Sequence, residues 1–188
     1  MYARQVGDRT LTFIVSGKLW RNSMIMQDLE TGSLWSHVTG ECLEGELEGT
    51  LLEMIPMVQT TWAKWVAAHT GTRVLKKSEE VKSSRYESYF TDPERTGIFR
   101  ARYLRERRPG KDLVHGIVLG PHALAVPDER LPPGAEVEAE IDGTPLKITR
   151  DSDGGVRAVR TDTGVEIRVL QSYWFAWSQF YPNTAVVQ

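Results

Sequence analysis

The chain has a single cysteine among its 188 residues. A lone Cys42 excludes an intramolecular disulfide framework and a cysteine-rich zinc site, and leaves one thiol to weigh as a reactive group. Also missing is any apolar run near the ~20 residues of a membrane helix. The opening MYARQVGDRT has none of the apolar stretch of a signal peptide. As written, the chain is expected to be soluble and cytoplasmic, or exported or envelope-associated if it is a truncated piece of something longer. Charge of one sign is lacking too: 23 basic and 25 acidic side chains leave −2 at pH 7, so no whole-molecule field draws it to nucleic acid. Patterns for a nucleophile elbow, a phosphate loop, a dinucleotide site or a zinc protease are absent, and Ser16-Gly17-Lys18 is too short to cradle a phosphate. His37, His69, His115 and His122 show no metal-ligand spacing. His115 and His122 fall on adjacent strands of one hairpin, within reach of each other, but a satisfied structural histidine is the simpler reading. No metal and no other cofactor is expected.

What remains is an ordinary globular composition, 40% hydrophobic and 26% charged, of a size for one large domain or two small ones. The chain resembles itself. WAKWVAAHTGTRVL (62–75) lies over WFAWSQFYPNTAVV (174–187) without a gap, pairing Trp62 with Trp174, Trp65 with Trp177, Thr72 with Thr184 and Val74 with Val186. Upstream, QDLETGSLW (27–35) lies over RTDTGVEI (160–167) and pairs Thr31-Gly32 with Thr163-Gly164. The second copy is shorter between turn and helix by roughly 20 residues, the length of VTGECLEGELEGTLLEMIP.

In the first copy, TLTFIV and SMIM read as strands, with Glu30-Thr31-Gly32 turning SMIM back into SLW. Thr60 or Thr61 caps a helix that puts Trp62, Trp65, Val66 and His69 on one face, Gly71 stops it, and TRVL follows as a short strand. In the second, TPLKIT, VRAVRTD and VEIRVL are strands, and Ser172 caps a helix that Pro182 ends. The spacing predicts α+β architecture, mostly antiparallel β, in two pseudo-symmetric sheet-plus-helix units. Its segments are a first repeat over 1–75, a basic connection over 76–111, and a second β-rich repeat over 112–188, together one compact domain. Trp62, Trp65, Trp174 and Trp177 are expected as core pegs between helix and sheet, with Trp62 and Trp174 in equivalent positions.

The connection carries eleven basic and six acidic residues from Lys76 to Lys111, net +5, leaving −7 on everything else. Its densest part interleaves Arg100, Arg102, Arg105, Arg107 and Arg108 with Phe99, Tyr103 and Leu104, a pattern that suits phosphates and exposed bases. The acidic remainder of the chain opposes a polyanion, so the simpler reading is a solvated loop or a partner for the acidic strand Glu136–Asp142. DLVHGIVLG and HALAVP form the hairpin that comes next, around Gly120-Pro121.

The run LTFIVSGKLWRNSMIMQDLETGSLWSHVTGECLEGELEGTLLEMIP, with TTWAKWVAAHTGTRVL after it, closely resembles the prokaryotic family called domain of unknown function 3179. The resemblance continues through RYESYF, RRPGKDLVHGIVLG and the closing FAWSQFYPNT, and so covers nearly the whole chain. It implies a β-rich fold of two related units and carries over no biochemical activity. Two departures stand out. The family pattern begins earlier, with a strand and a CPLCNSG-like loop before the position of Tyr2-Ala3-Arg4; if those cysteines carry chemistry, the expectation is that it is absent here or that the chain is a truncated piece. His37 and Cys42 stand where the family more often has Gln and Ala.

A ligand site is expected, if anywhere, among Ser16, Lys18, Asn22, Asp28, Trp35, Ser36, Thr39, Glu41 and Cys42, the densest polar constellation in a glycine-punctuated stretch. The leading reading is a non-enzymatic binding or structural module with an unidentified small-molecule or protein partner. The alternatives are a hydrolase or thiol-dependent enzyme using groups near Ser16 and Cys42, with His37 as a partner for the thiol, and a nucleic-acid contact through Arg100–Arg108. The edge beside TLTFIV is expected to be covered by homodimerisation or by Tyr2–Val6.

Overall fold

The computed structural model describes residues 1–57, 59–75, 86–97, 107–152 and 154–188. A short hairpin of β1 (Gln5–Val6) and β2 (Arg9–Thr10) leads into an antiparallel meander of β3 (Phe13–Trp20), β4 (Ser23–Asp28), β5 (Leu34–Ser36) and β6 (Cys42–Glu44), side by side in chain order. The turn from β3 to β4 holds Arg21 and Asn22 at φ 50° and 59°, the doubly left-handed conformation whose twist matches that of the strands it joins. Between Val15 and Leu19 the β3–β4 register shifts. There the Ser16 hydroxyl donates to the Ile25 carbonyl at 2.6 Å and accepts from the Lys18 amide at 3.1 Å, satisfying backbone groups that a bulge takes out of the ladder. Leu11, Trp35, Cys42 and Leu52 form the core of this sheet, with Phe13 edge-on to the Trp35 ring at 5.7 Å.

Helices α1 (Trp62–Ala68) and α2 (Glu87–Thr91) follow, then the hairpin of β7 (Leu113–Leu119) and β8 (His122–Pro127). A second antiparallel meander comprises β9 (Glu136–Ile141), β10 (Thr144–Arg150), β11 (Val156–Arg160) and β12 (Glu166–Ile167), and β13 (Val169–Tyr173), α3 (Trp174–Phe180) and β14 (Ala185–Val186) close the chain. β13 and β14 return to flank the hairpin in the order β13-β7-β8-β14, with β14 parallel to β8. The fold is α+β and mostly antiparallel β.

Alternation along a strand explains why β7 and β8 are apolar on both sides. One side sends Ile117, Leu124 and Val126 against Leu146, Ile148 and Ala158 of the second meander. The other sends Val114 and Ala125 against Trp174 and Trp177 of α3. Gly116 sits beneath the Trp177 ring so closely that a Cβ would lie 2.1 Å from it. Only glycine permits that approach.

The structure departs from the sequence reading in several places. Trp174 and Trp177 are core pegs, whereas Trp62 and Trp65 are 58% and 43% exposed, because among the described residues no sheet lies under α1. TRVL belongs to no sheet. VEIRVL is two strands in two sheets, broken at Arg168. Tyr173, not Ser172, occupies the N-cap of α3, and the Ser172 hydroxyl donates to the Tyr173 carbonyl instead. Thr61 does cap α1, accepting from the Lys64 amide at 3.4 Å. Tyr2–Val6 leaves β3 at the border of its sheet, since Tyr2 bridges Met54 and β1 pairs with β2. Among the described residues, no helix is long and apolar enough to cross a membrane.

Candidate functional site

Asp28 ends β4 fully buried. Its carboxylate accepts from Trp35 Nε1 at 2.8 Å, from the Thr31 amide at 2.6 Å and from the Thr31 hydroxyl at 2.8 Å. Burial pushes this carboxyl up, and the hydrogen bonds from Trp35, Thr31 and Gly32 outweigh it and hold the group below the ordinary carboxylate range. A carboxylate saturated by its own turn and core is a pin that fixes β4 to β5. Cys42 packs beside it and donates its S–H to the Glu44 carbonyl at 3.6 Å; burial pushes the thiol up, against smaller opposing contributions from hydrogen bonding by Glu44 and Ser33. A buried, protonated thiol is a poor nucleophile. The His37 ring Nδ1 meets the Met24 carbonyl at 2.8 Å rather than the thiol.

The other members of the constellation serve other purposes. Ser16 closes the bulge, the Lys18 side chain is exposed, and Glu41 forms a bridge with Leu51 on the way into β6. Ser36 Oγ accepts from the Thr39 amide at 3.1 Å and Thr39 Oγ1 from the Glu41 amide at 3.3 Å, so both hydroxyls brace this turn. The hairpin tip docks on α3: Asn22 donates to Gln179 Oε1 at 3.3 Å, and Arg21 donates to the Gln179 carbonyl at 2.9 Å while lying over the Trp20 ring. The structure therefore brings Asp28, Trp35 and Cys42 together inside the core, and places Ser16, Lys18, Asn22 and Glu41 apart from them.

A cleft of roughly 350 Å³ opens elsewhere, between the first meander and the α3 side of the β13-β7-β8 sheet. Leu51, Leu52 and Met54 form one wall; Gly116, Val118 and Leu170 form the other. Arg168 and Tyr181 supply its polar groups. Arg168, at the break between β12 and β13, lies over the Tyr2 ring at 4.9 Å, donates to the Tyr2 hydroxyl at 3.1 Å and contacts the Met54 sulfur. The Tyr2 hydroxyl in turn donates to the Val38 carbonyl at 2.7 Å. Among the described residues, no carboxylate lies within ion-pair distance of Arg168. Burial pushes the Tyr181 phenol up, with Tyr2 adding to the shift and Arg168 opposing it, so both polar groups are donors at neutral pH. An apolar slot with two convergent donors is the ordinary form of a small-ligand site. Its parts come from four distant stretches of chain, and the one signal in the sequence was an arginine interrupting VEIRVL.

Arg100, Arg102 and Arg105 lie outside the described residues. Arg107 donates to the Thr184 carbonyl at 2.8 Å and lies over Trp174, and Arg108 pairs with Asp112 at 3.0 Å and Glu129 at 2.6 Å. These two arginines tie the chain to its own C-terminal elements. The acidic strand takes other partners, Lys147 for Glu136 at 2.9 Å and His122 for Asp142 at 3.5 Å. His122 is exposed at the hairpin tip while His115, further along the same face, is buried, its Nε2 at 2.9 Å from Asp128 Oδ1, which Arg150 also contacts at 2.9 Å. The two histidines do not meet, because the register sets Leu119 opposite His122 and His115 opposite Val126. Among the described residues, no three His, Cys, Asp or Glu side chains gather so as to hold a metal ion.

Neither the curated proteins nor the solved structures contain a match to this chain. A family model does match it, that of a protein family of unknown function, over residues 1–164. With that match spanning most of its length, the chain belongs to the DUF3179 family.

Proposed function

We propose that the protein is a binding module without covalent chemistry of its own, and that its ligand is a small amphipathic anion held in the Arg168 cleft. One observation carries this reading: the Arg168 guanidinium faces an apolar slot with an aromatic ring beneath it and no carboxylate partner among the described residues. A half-buried guanidinium with no counter-charge among the described residues favours an incoming carboxylate, which accepts two of its N–H groups in one plane. Tyr181 adds a third donor, and Leu51, Leu52, Val118 and Leu170 take the apolar body. The buried thiol, pushed up by its burial, and the hydrogen-bonded Asp28 favour this reading over one that uses Cys42 as a nucleophile.

Thermal unfolding in the presence of octanoate or octanol tests the reading. Octanoate should raise the midpoint in a saturable way and octanol should do much less, and Arg168→Gln should remove the difference. Equal responses to acid and alcohol, or an octanoate shift that survives Arg168→Gln, would overturn it. A second copy pairing along the β3 border, over Phe13–Val15, completes the reading: this stretch precedes the bulge and leaves Ile14 and Val15 exposed.

A further inference from the structure

Helices α1 and α3 are local copies of one another. Their N-caps sit at φ,ψ −79°,153° (Thr61) and −73°,146° (Tyr173), and their C-caps at −127°,71° (His69) and −127°,68° (Tyr181). Trp65 Nε1 donates to Thr72 Oγ1 at 2.9 Å, and Trp177 Nε1 to Thr184 Oγ1 at 3.1 Å. Trp65 stacks on His69 at 4.0 Å and 38°, and Trp177 on Tyr181 at 4.3 Å and 37°. The surroundings differ completely. Trp177 lies on Gly116 of the β7–β8 hairpin, and the segment after α3 pairs parallel with β8 as β14. Around α1, Trp62, Trp65, Val66, Val74 and Leu75 are 58%, 43%, 37%, 67% and 90% exposed, and residues 72–75 pair with no strand among the described residues.

We propose that α1 and residues 72–75 form a docking surface for a β-hairpin of another polypeptide, with a glycine facing Trp65 and one strand running parallel to 72–75. The occupant's chemistry is written in α3, whose equally spaced tryptophans seat a hairpin with glycine under the second ring and small apolar residues, Val114 and Ala125, beside it. Strand addition supplies backbone hydrogen bonds, and the glycine supplies the selectivity, since a Cβ at that point collides with the indole. A second folded copy of this chain offers no such hairpin: its β7–β8 is already covered by α3 on one face and by β9–β12 on the other. Lys64 donates to the Ser152 carbonyl at 3.3 Å and ties α1 to the β10–β11 turn, so the surface is held in place before anything binds.

The probe is a synthetic peptide of residues 112–128, cyclised end to end so that strand pairing is formed in advance. It carries Ile117→Thr, Leu124→Thr and Val126→Thr, because those side chains belong to the opposite face. Added to the full chain, it should shift tryptophan emission to the blue in a saturable way. A Gly116→Val change in the peptide, or Trp65→Ala in the protein, should each weaken binding by about tenfold or more, the equivalent of ~1.4 kcal/mol. Trp65→Ala removes an exposed side chain and should leave folding intact, as far-UV circular dichroism will show. No binding, or binding indifferent to both changes, overturns the proposal. So does a peptide-free protein in which light scattering shows self-association and iodide fails to quench Trp65, since a second copy then holds the surface.

Discussion

The Asp28 carboxylate accepts the Trp35 indole proton at 2.8 Å, with both side chains wholly out of solvent. An indole N–H left unpaired in a core costs about 1–3 kcal/mol, so Asp28→Ala should lower stability by roughly 2–4 kcal/mol once the Thr31 bonds are counted. The pH dependence follows in sign. A carboxyl held below its unfolded value, about 3.9, contributes stability that is fully present above that pH and fades as the pH falls through the lowered folded value. Urea unfolding at pH 6 and at stepped values below 4 should show an acid loss in the native protein that Asp28→Asn reduces.

His115 should add a separate loss at milder acidity. Burial pushes its ring down, and the hydrogen bond and charge of Asp128 compensate only in part. The unfolded chain takes up a proton near pH 6.5 that the folded chain refuses until lower pH, so stability should decline as the pH drops below about 6.5. His115→Gln keeps a donor toward Asp128 and should flatten the unfolding midpoint between pH 7 and 5.5. A midpoint profile unchanged by that substitution would exclude His115 as its origin.

Cys42 should behave as a packing residue. Its alkylation by iodoacetamide at pH 8 should be far slower in the native protein than in urea, and the native rate should track global unfolding. A native rate equal to that of a free thiol would return thiol chemistry to consideration.

Gly116 and the two tryptophan helices give a paired test of packing. Gly116→Ala places a methyl 2.1 Å from the Trp177 ring, an overpacking expected to cost about 1–3 kcal/mol or more. Trp177→Ala should cost ~3–5 kcal/mol, whereas Trp65→Ala, with the same hydrogen bond on an exposed helix, should cost under about 1 kcal/mol. Guanidinium unfolding curves of the three variants give the comparison directly.

These contrasts show what the sequence could and could not carry. Caps, turns and strand alternation are local, and they were legible: Thr61 caps α1, Gly32 and Gly164 both sit at φ 73°, and the β7–β8 hairpin falls where its apolar runs lie. Burial is not local. WAKW and WFAW adopt one geometry, but only the second has a sheet beneath it, and nothing within either segment encodes the arrival of β7–β8 from sixty residues upstream. The polar stretch from Ser16 to Cys42 looked like a site because hydroxyls and carboxylates were dense there, and that density serves turns and a buried pin. The Arg168 cleft escaped notice for the opposite reason: each of its contributors is unremarkable alone, and they converge only through the break between β12 and β13.

The order of strands in the last sheet bears on synthesis as well as on the finished fold. β7 and β8 leave the ribosome well before β13, α3 and β14, the elements that cover the hairpin's second apolar face and both its edges. The intervening meander can close over the first face as soon as it is made, because its pairings join neighbours in the chain. During that interval Val114, Gly116 and Ala125 stand open beside two unpaired strand edges, the condition in which nascent β proteins associate wrongly. Slowing translation between residues 130 and 170 should therefore lower soluble yield, and supplying the 169–188 segment early, by circular permutation to the front of the chain, should restore it.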